Sequence, residues 1–223
     1  MPINRIDKKR PICDTDIWIK NCKYKEIYKS ELIFDIYDKV YMSDAVRQEL
    51  GPKRDDEKFK EDFELGLRHF HIENNNRLSI IRSYDDSLFN EEEKAALERE
   101  FLEHDIIYDK KELRYKGSKS GLGERVTLVL AAILEIPIIL SDDSHCRNGA
   151  MNMKPLYPYL KVINLYNLLK IKGFKSTDIG DIKELVNEPI RQDNLALSEV
   201  AADDSVDSSS KLISYKDRFK KIV

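Results

Sequence analysis

Apolar positions along the chain fall into two spacings: short unbroken runs between polar residues, and stripes recurring every three to four residues. The first reads as buried strand and the second as amphipathic helix. Pro11-Ile12-Cys13 is the first run. It breaks into Asp14-Thr15-Asp16, and Ile17-Trp18-Ile19 then opens a helix that Asp14 or Thr15 can cap, because short polar side chains accept its free N–H groups. Glu31 to Tyr37 is amphipathic and compatible with a helix. Val40-Tyr41-Met42 predicts a short strand, and Ser43 to Leu50 a helix stopped by Gly51-Pro52. Within the charged stretch Lys53 to His71, Phe59, Phe63, Leu67 and Phe70 make one helical stripe that reads as core. Arg77 to Ile81 predicts another strand. Asn90 to His104 predicts a helix with Asn90 as its cap and Glu91, Glu92 and Glu93 in the first turn, where the helix dipole favours acids.

The most informative stretch is Gly121 to Arg147. A Gly-Leu-Gly turn delivers Glu124, and the mostly apolar residues Arg125 to Leu134 follow as a buried helix. Ile136 to Leu140 is an apolar strand ending in Ser141-Asp142-Asp143. The residues after Arg147 are small and read as flexible. Lys161 to Asn164 suits a last strand, Leu165 to Lys172 a helix ended by Gly173, and Asp178 to Val186 a helix before Pro189. Ser198 to Ser210 is rich in Ser, Asp and Ala and carries only acids, the composition of a disordered linker. Lys211 to Val223 turns basic and carries Leu212, Ile213, Tyr215, Phe219 and Ile222, a short segment suited to ordering on a partner. Strands alternating with helices predict an α/β fold with a central, mainly parallel sheet. Residues 1–190 form its domain, followed by a C-terminal linker and tail at 191–223.

The chain has 223 residues, 41% hydrophobic and 35% charged, with a net charge of −3. That balance gives no global nucleic-acid signature, so any such site must be a local basic patch. Two stretches qualify: Lys8-Lys9-Arg10, and Asp109 to Ser120 with Lys110, Lys111, Arg114, Lys116 and Lys119 beside Tyr108 and Tyr115. The second reads either as a solvated loop or as a phosphate-contacting rim. Cys13, Cys22 and Cys146 have no CxxC spacing and imply reduced thiols. The amino-terminal residues lack the apolar core of a signal peptide, and no apolar run nears the roughly 20 residues of a membrane helix. A cytoplasmic protein without membrane contact is expected. The His69-x-His71 pair has no further ligands nearby and makes no metal site by itself.

Five acids stand at element ends or on helix flanks instead of within charged runs: Asp14, Glu49, Glu124, Asp142 and Asp143. A parallel sheet would bring several of them to the edge beyond its carboxyl ends, where open α/β sheets place their sites. Carboxylates gathered there repel one another and raise each other's pKa unless cations bind. Hard divalent ions with oxygen ligands resolve that repulsion, and Mg²⁺ or Mn²⁺ suits. Such a centre can activate water and stabilise a leaving oxygen in phosphodiester cleavage.

The ordered series Asp14-Thr15-Asp16, Val46-Arg47-Gln48-Glu49-Leu50, Gly123-Glu124 with its apolar helix, and Leu140-Ser141-Asp142-Asp143 with Arg147 resembles the PIN-domain nucleases. The resemblance is to the bacterial and archaeal subgroup that includes toxin ribonucleases of toxin–antitoxin pairs, and it covers roughly residues 10 to 175. It implies a three-layer α/β/α fold and Mg²⁺- or Mn²⁺-dependent endoribonuclease activity. Asp14, Glu49, Glu124 and Asp142 or Asp143 would hold the metal. Thr15 would support the first acid and border the substrate. Arg147 would pair with the strand-end acids or with substrate phosphate; on the rim reading of the basic stretch, Lys116 and Lys119 would contact the RNA backbone. It also implies a homodimer and an antitoxin partner engaging the C-terminal region. Asp16 departs from the family's more usual neutral residue, and the interval from Glu49 to Glu124 is longer than in compact members.

Two other readings of the same residues differ in class. Asp14-Thr15-Asp16 after an apolar strand resembles the nucleophile-and-acid pair of haloacid-dehalogenase-type phosphatases. In that pattern Trp18 stands where Thr or Val is wanted, and Glu49 and Glu124 have no role. A PIN-like module could also bind RNA or protein without cleaving anything, since fold does not guarantee activity.

Overall fold

The computed structural model describes residues 6–51, 60–85, 87–116 and 121–175, together with Ile179 and Ile182. Seven strands and seven helices are formed in these residues: β1 (Ile12–Cys13), α1 (Thr15–Tyr28), β2 (Val40–Ser43), α2 (Asp44–Glu49), α3 (Lys60–Glu73), β3 (Leu78–Ile81), α4 (Glu91–Glu103), β4 (Ile107–Asp109), β5 (Arg114–Lys116), α5 (Leu122–Ile133), β6 (Ile138–Leu140), α6 (Ser144–Met153), β7 (Lys161–Ile163) and α7 (Leu165–Ile171). Five strands make one sheet in the order β3-β2-β1-β6-β7, and every pairing in it is parallel. β4 and β5 form a separate antiparallel hairpin.

The sheet is covered on both faces, and strand alternation shows how. Successive side chains of a strand point to opposite faces. Ile12, Tyr41, Ile81 and Ile139 enter one apolar core with residues of α4, α5 and α6. Their neighbours Cys13, Val40, Met42, Leu78 and Leu140 enter a second core with α1, α3 and α7. This is why the strands read as unbroken apolar runs: a parallel sheet between helices is apolar on both sides. Trp18 anchors the second core, and its indole N–H donates to the Gly66 carbonyl at 2.9 Å.

Several expected elements are present with their signals. Asp14 is the N-cap of α1, and Asn90 with Glu93 forms a reciprocal capping box on α4. Phe70 of the α3 stripe is buried in the second core, with Phe63 and Leu67 packed against it. Gly173 adopts φ +88°, the left-handed conformation that ends α7.

Three readings need correction. Residues 31–37 form turns, not a helix. Leu32 and Ile33 are buried there, and the Ile33 N–H donates to the Asn21 side chain at 2.9 Å, which fixes the turn against α1. The residues after Arg147 are helical, because Asp143 caps α6 and Cys146, Ala150 and Met153 form its buried stripe. The basic stretch from Asp109 is not a plain loop, since Tyr108 pairs with Tyr115 across the β4–β5 hairpin. Ile179 and Ile182 are buried in the second core, as a helix there would place them. The remainder of that segment, the linker and the tail at 191–223 lie outside the described residues, as do Phe59 and Lys119. No helix among the described residues is long and apolar enough to cross a membrane.

Candidate active site at the carboxyl edge of the sheet

The sheet order reverses at β1, which connects forward to β2 on one side and pairs with β6 on the other. A crevice opens at such a switch point beyond the carboxyl ends of the strands. Asp14 follows β1 directly and Ser141-Asp142-Asp143 follows β6, so both acidic motifs lie there by topology.

Asp14 is almost fully buried. Its Oδ1 accepts the Thr15 N–H at 2.7 Å, and its Oδ2 accepts the Ser141 hydroxyl at 3.0 Å. The Ser141 Oγ also accepts the Asp143 N–H at 3.2 Å, so one serine ties the two strand ends together. Glu49, at the last turn of α2, joins a third and a fourth element. Its Oε2 accepts the Thr15 hydroxyl at 2.6 Å and its Oε1 the Gly123 N–H at 2.9 Å. Gly123 leaves room for this close approach. A Cβ there would stand 2.4 Å from Glu49 Oε2 and 3.0 Å from Thr15 Oγ1.

Glu124, the next residue on α5, shares a hydrogen bond with Asp143. Its Oε2 is buried and accepts no hydrogen bond from the described residues. Burial, then the negative charges of Asp143, Asp16 and Glu49, push its carboxyl up to about 7. Asp14 is also raised well above the carboxylate range, by burial and then by Asp16, Glu49 and Glu124. The mutual effects place Asp14, Asp16, Glu49, Glu124 and Asp143 within one electrostatic neighbourhood, drawn from four separate parts of the chain.

Asp142 and Asp143 divide at the end of β6. Asp142 turns to Lys20, whose ammonium lies 2.5 Å from Asp142 Oδ2, while Oδ1 accepts the Leu165 N–H at 3.3 Å. Asp143 caps α6 through the His145 N–H at 2.6 Å and lies beside Glu124. Arg147 follows one turn along α6, half-buried, with its N–H on the Asp143 carbonyl. Thr15 is buried with its hydroxyl on Glu49.

Lys116 is exposed on the hairpin and paired with Asp109 at 2.5 Å. The hairpin is nonetheless fixed beside the acids. Gln48, adjacent to Glu49, bonds both backbone groups of Tyr115, adjacent to Lys116, at 2.9 and 2.8 Å. The Tyr115 hydroxyl donates to Asp44 at 2.6 Å. Lys116 also lines a cleft with Leu102, Ile106, Ile107, Leu122 and Arg125, against the first turn of α5. The His69 imidazole is buried and bonded to Glu26 at 3.1 Å, a packing role.

Sequence reading missed Lys20. Its only linear signal is the i,i+4 spacing from Asp16, a common solvent-facing pair.

Among the described residues, no three His, Cys, Asp or Glu side chains stand together in the geometry of bound-ion ligands. The donor chemistry nonetheless fits a hard divalent ion. The donors are all carboxylate oxygens, they repel one another, and the Glu124 Oε2 is buried without a bond. No family model, curated protein or solved structure matches the chain.

Proposed function

We propose that this chain is a PIN-like, Mg²⁺- or Mn²⁺-dependent endoribonuclease. The observation that carries the reading is the convergence of Asp14, Glu49, Glu124 and Asp143 at the switch point of the sheet, with one buried carboxylate oxygen unbonded. Asp14, Glu49, Glu124 and Asp143 would hold the ion. When bound, a divalent ion of this kind lowers the pKa of water and stabilises developing charge on phosphate oxygens.

The remaining residues prepare the site. Thr15 and Ser141 fix the orientations of Glu49 and Asp14, so these acids lose little freedom when a ligand arrives. Gly123 lets Glu49 approach the amino end of α5. Glu124, held near its protonation midpoint at neutral pH in the free protein, loses its proton as a cation enters. On the rim, Lys116 is exposed and its partner among the described residues is Asp109. Exposed ion pairs are worth little, so the ammonium can exchange Asp109 for a phosphate oxygen.

The phosphatase reading fits less of the site. It gives no role to Glu49, which is fastened to both α1 and α5, and its second acid, Asp16, faces Lys20. A non-catalytic module would keep the acids only as structure, with no divalent-ion dependence.

The test is cleavage of a mixed panel of single-stranded and hairpin RNAs by wild type and Asp14→Asn, with Mn²⁺, with Mg²⁺ and with chelator. Cleavage that needs the ion and falls by about 10²-fold or more in the variant is expected. An intact RNA panel with metal-loaded wild type would sink the proposal.

A further inference from the structure

The β4–β5 hairpin turns its two faces to different surroundings. Its cross-strand partners are Ile107 with Lys116, Tyr108 with Tyr115 and Asp109 with Arg114. Alternation puts the tyrosines on one face, where they pack on Tyr84 and Phe101. Ile107 and Lys116 share the other face, and there they wall a cleft of about 220 Å³. Leu102, Ile106 and Leu122 complete its apolar lining, and Arg125 and Asp105 are its other charged residues. Leu102 is 80% exposed and Ile107 62%, although Ile106 and Leu122 beside them are buried. The Arg125 guanidinium is already fixed. Its Nε donates to the Gly121 carbonyl at 3.2 Å and its Nη1 to the His104 carbonyl at 2.8 Å. Its Nη2 donates to none of the described residues.

We propose that this cleft is a nucleotide subsite for the RNA substrate, with the base on Leu102, Ile107 and Leu122 and a phosphate on Lys116 and Arg125. The inference rests on the reading of the acidic edge as an RNA-cleaving site and adds where a neighbouring part of the strand is held. Chemistry selects a nucleotide as the occupant. An apolar floor with two cations against one carboxylate, Asp105, suits a flat ring joined to an anionic group. The volume is below the roughly 300–1,000 Å³ of pockets that enclose a whole small ligand, which suits one segment of a longer strand. Continuity with the acids selects RNA. Leu122 and Arg125 stand on the first turn of α5 on either side of Glu124, and Gln48, which holds the hairpin, precedes Glu49. A strand with a phosphate at the acids is therefore led past the cleft. Arg125, held by two carbonyls, loses little freedom when a phosphate arrives. None of these side chains touches the reacting bond in this scheme; they hold the strand.

The experiment is binding of the full chain to a fluorescein-labelled single-stranded RNA of about eight nucleotides, followed by anisotropy in chelator so that no strand is cut. Ile107→Ser should weaken binding about fivefold and leave the slope of log affinity against log salt unchanged, because it removes apolar contact alone. On an abasic strand of the same length it should have no effect. Lys116→Met should weaken binding to both strands and reduce the salt slope by about 0.7. Lys111→Met, on the same hairpin outside the cleft, should change affinity by less than about twofold. All three side chains are exposed, so the variants keep the fold. Equal losses in Lys111→Met and Lys116→Met would mean a diffuse basic surface and overturn the inference. So would wild-type RNA affinity in Ile107→Ser; if that variant also loses a self-association that wild type shows by ultracentrifugation, the cleft belongs to a second copy of the chain. No RNA binding by wild type overturns it as well. Cleavage with Mn²⁺ is scored separately. Cleft-dependent binding without cleavage sinks the endoribonuclease reading and leaves the nucleotide site standing, whereas cleavage unchanged in Ile107→Ser and Lys116→Met sinks the site alone.

Discussion

Two groups of carboxylates sit at opposite ends of the same sheet. At the amino end, Arg77 just before β3 lies between Glu31 and Glu73, with two hydrogen bonds to each, and its guanidinium covers the Phe34 ring at 4.1 Å. Lys25 reaches the same two acids. There, hydrogen bonding from Arg77 holds the Glu31 carboxyl down at about 2. At the carboxyl end, burial and neighbouring acids push Glu124 up to about 7 and Asp16 to about 6, the latter despite Lys20. The first group is complete within the chain. The second gathers acids whose burial and mutual repulsion raise their carboxyls, the direction opposite to that of Glu31.

The largest effect on this contrast should come from Gly123→Ala. The new methyl would meet Glu49 Oε2 at 2.4 Å and Thr15 Oγ1 at 3.0 Å, so the Glu49 carboxylate must shift and its bonds to Thr15 and Gly123 are disturbed. RNA cleavage should fall by about 10²-fold, with a stability loss of about 1–3 kcal/mol from overpacking. Cleavage assays and urea unfolding measure the two separately. Full activity with Glu49 displaced would remove that acid from the site.

The opposite pattern is expected at the amino end. Arg77→Met leaves Glu73 buried with only Lys25 to compensate, and should destabilise the fold by about 2–3 kcal/mol. Cleavage by the folded fraction should match wild type. A loss of activity beyond the loss of folded protein would show that the two ends are coupled and that the contrast drawn between them is false.

Much of this contrast was legible in the residues, and the reasons for the exceptions are physical. Asp14, Glu49, Glu124 and the pair Asp142-Asp143 stand out in the sequence because each lies where an apolar element begins or ends, and the fold brings the strand-end acids to one edge of the sheet. The five parallel strands follow from apolar runs too short for helices. Lys20 was silent because a lysine four residues after an aspartate on a helix is ordinarily solvated. Only the crossing of α1 past the end of β6 encloses it. The α6 helix was hidden by its composition. Gly149 and the polar residues suggest flexibility, yet a Cβ at Gly149 would stand 2.6 Å from Leu128 Cδ2, so the glycine serves close packing on α5. The hairpin was hidden by its lysines. Its register depends on one tyrosine, Tyr115, whose bonds to Gln48 and Asp44 span about 70 residues of chain.

The smallest predicted effect is a pH dependence, and it separates the two ends by sign. The folded-state pKa of Glu31 lies below its ordinary 4.5, so its stabilising contribution is present above that value and is lost as pH falls toward 2. Glu124 is the reverse. Its pKa rises from 4.5 to about 7 on folding, so the native state binds more protons between those values, and stability falls as pH rises through the interval. Asp16, raised from 3.8 to about 6, adds in the same direction over a lower range. The metal-free protein should therefore melt higher at about pH 5.5 than at about pH 8. Glu124→Gln should raise the melting temperature at the higher pH and flatten the slope. Arg77→Met should lower both temperatures and leave the slope unchanged. Excess Mn²⁺ should flatten the wild-type slope as the substitution does, because a bound ion supplies the compensation that Arg77 supplies at the other end of the sheet. A metal-free wild type whose stability rises from pH 5.5 to 8 would mean that the carboxyl-edge acids are already compensated, and the difference between the two groups would vanish.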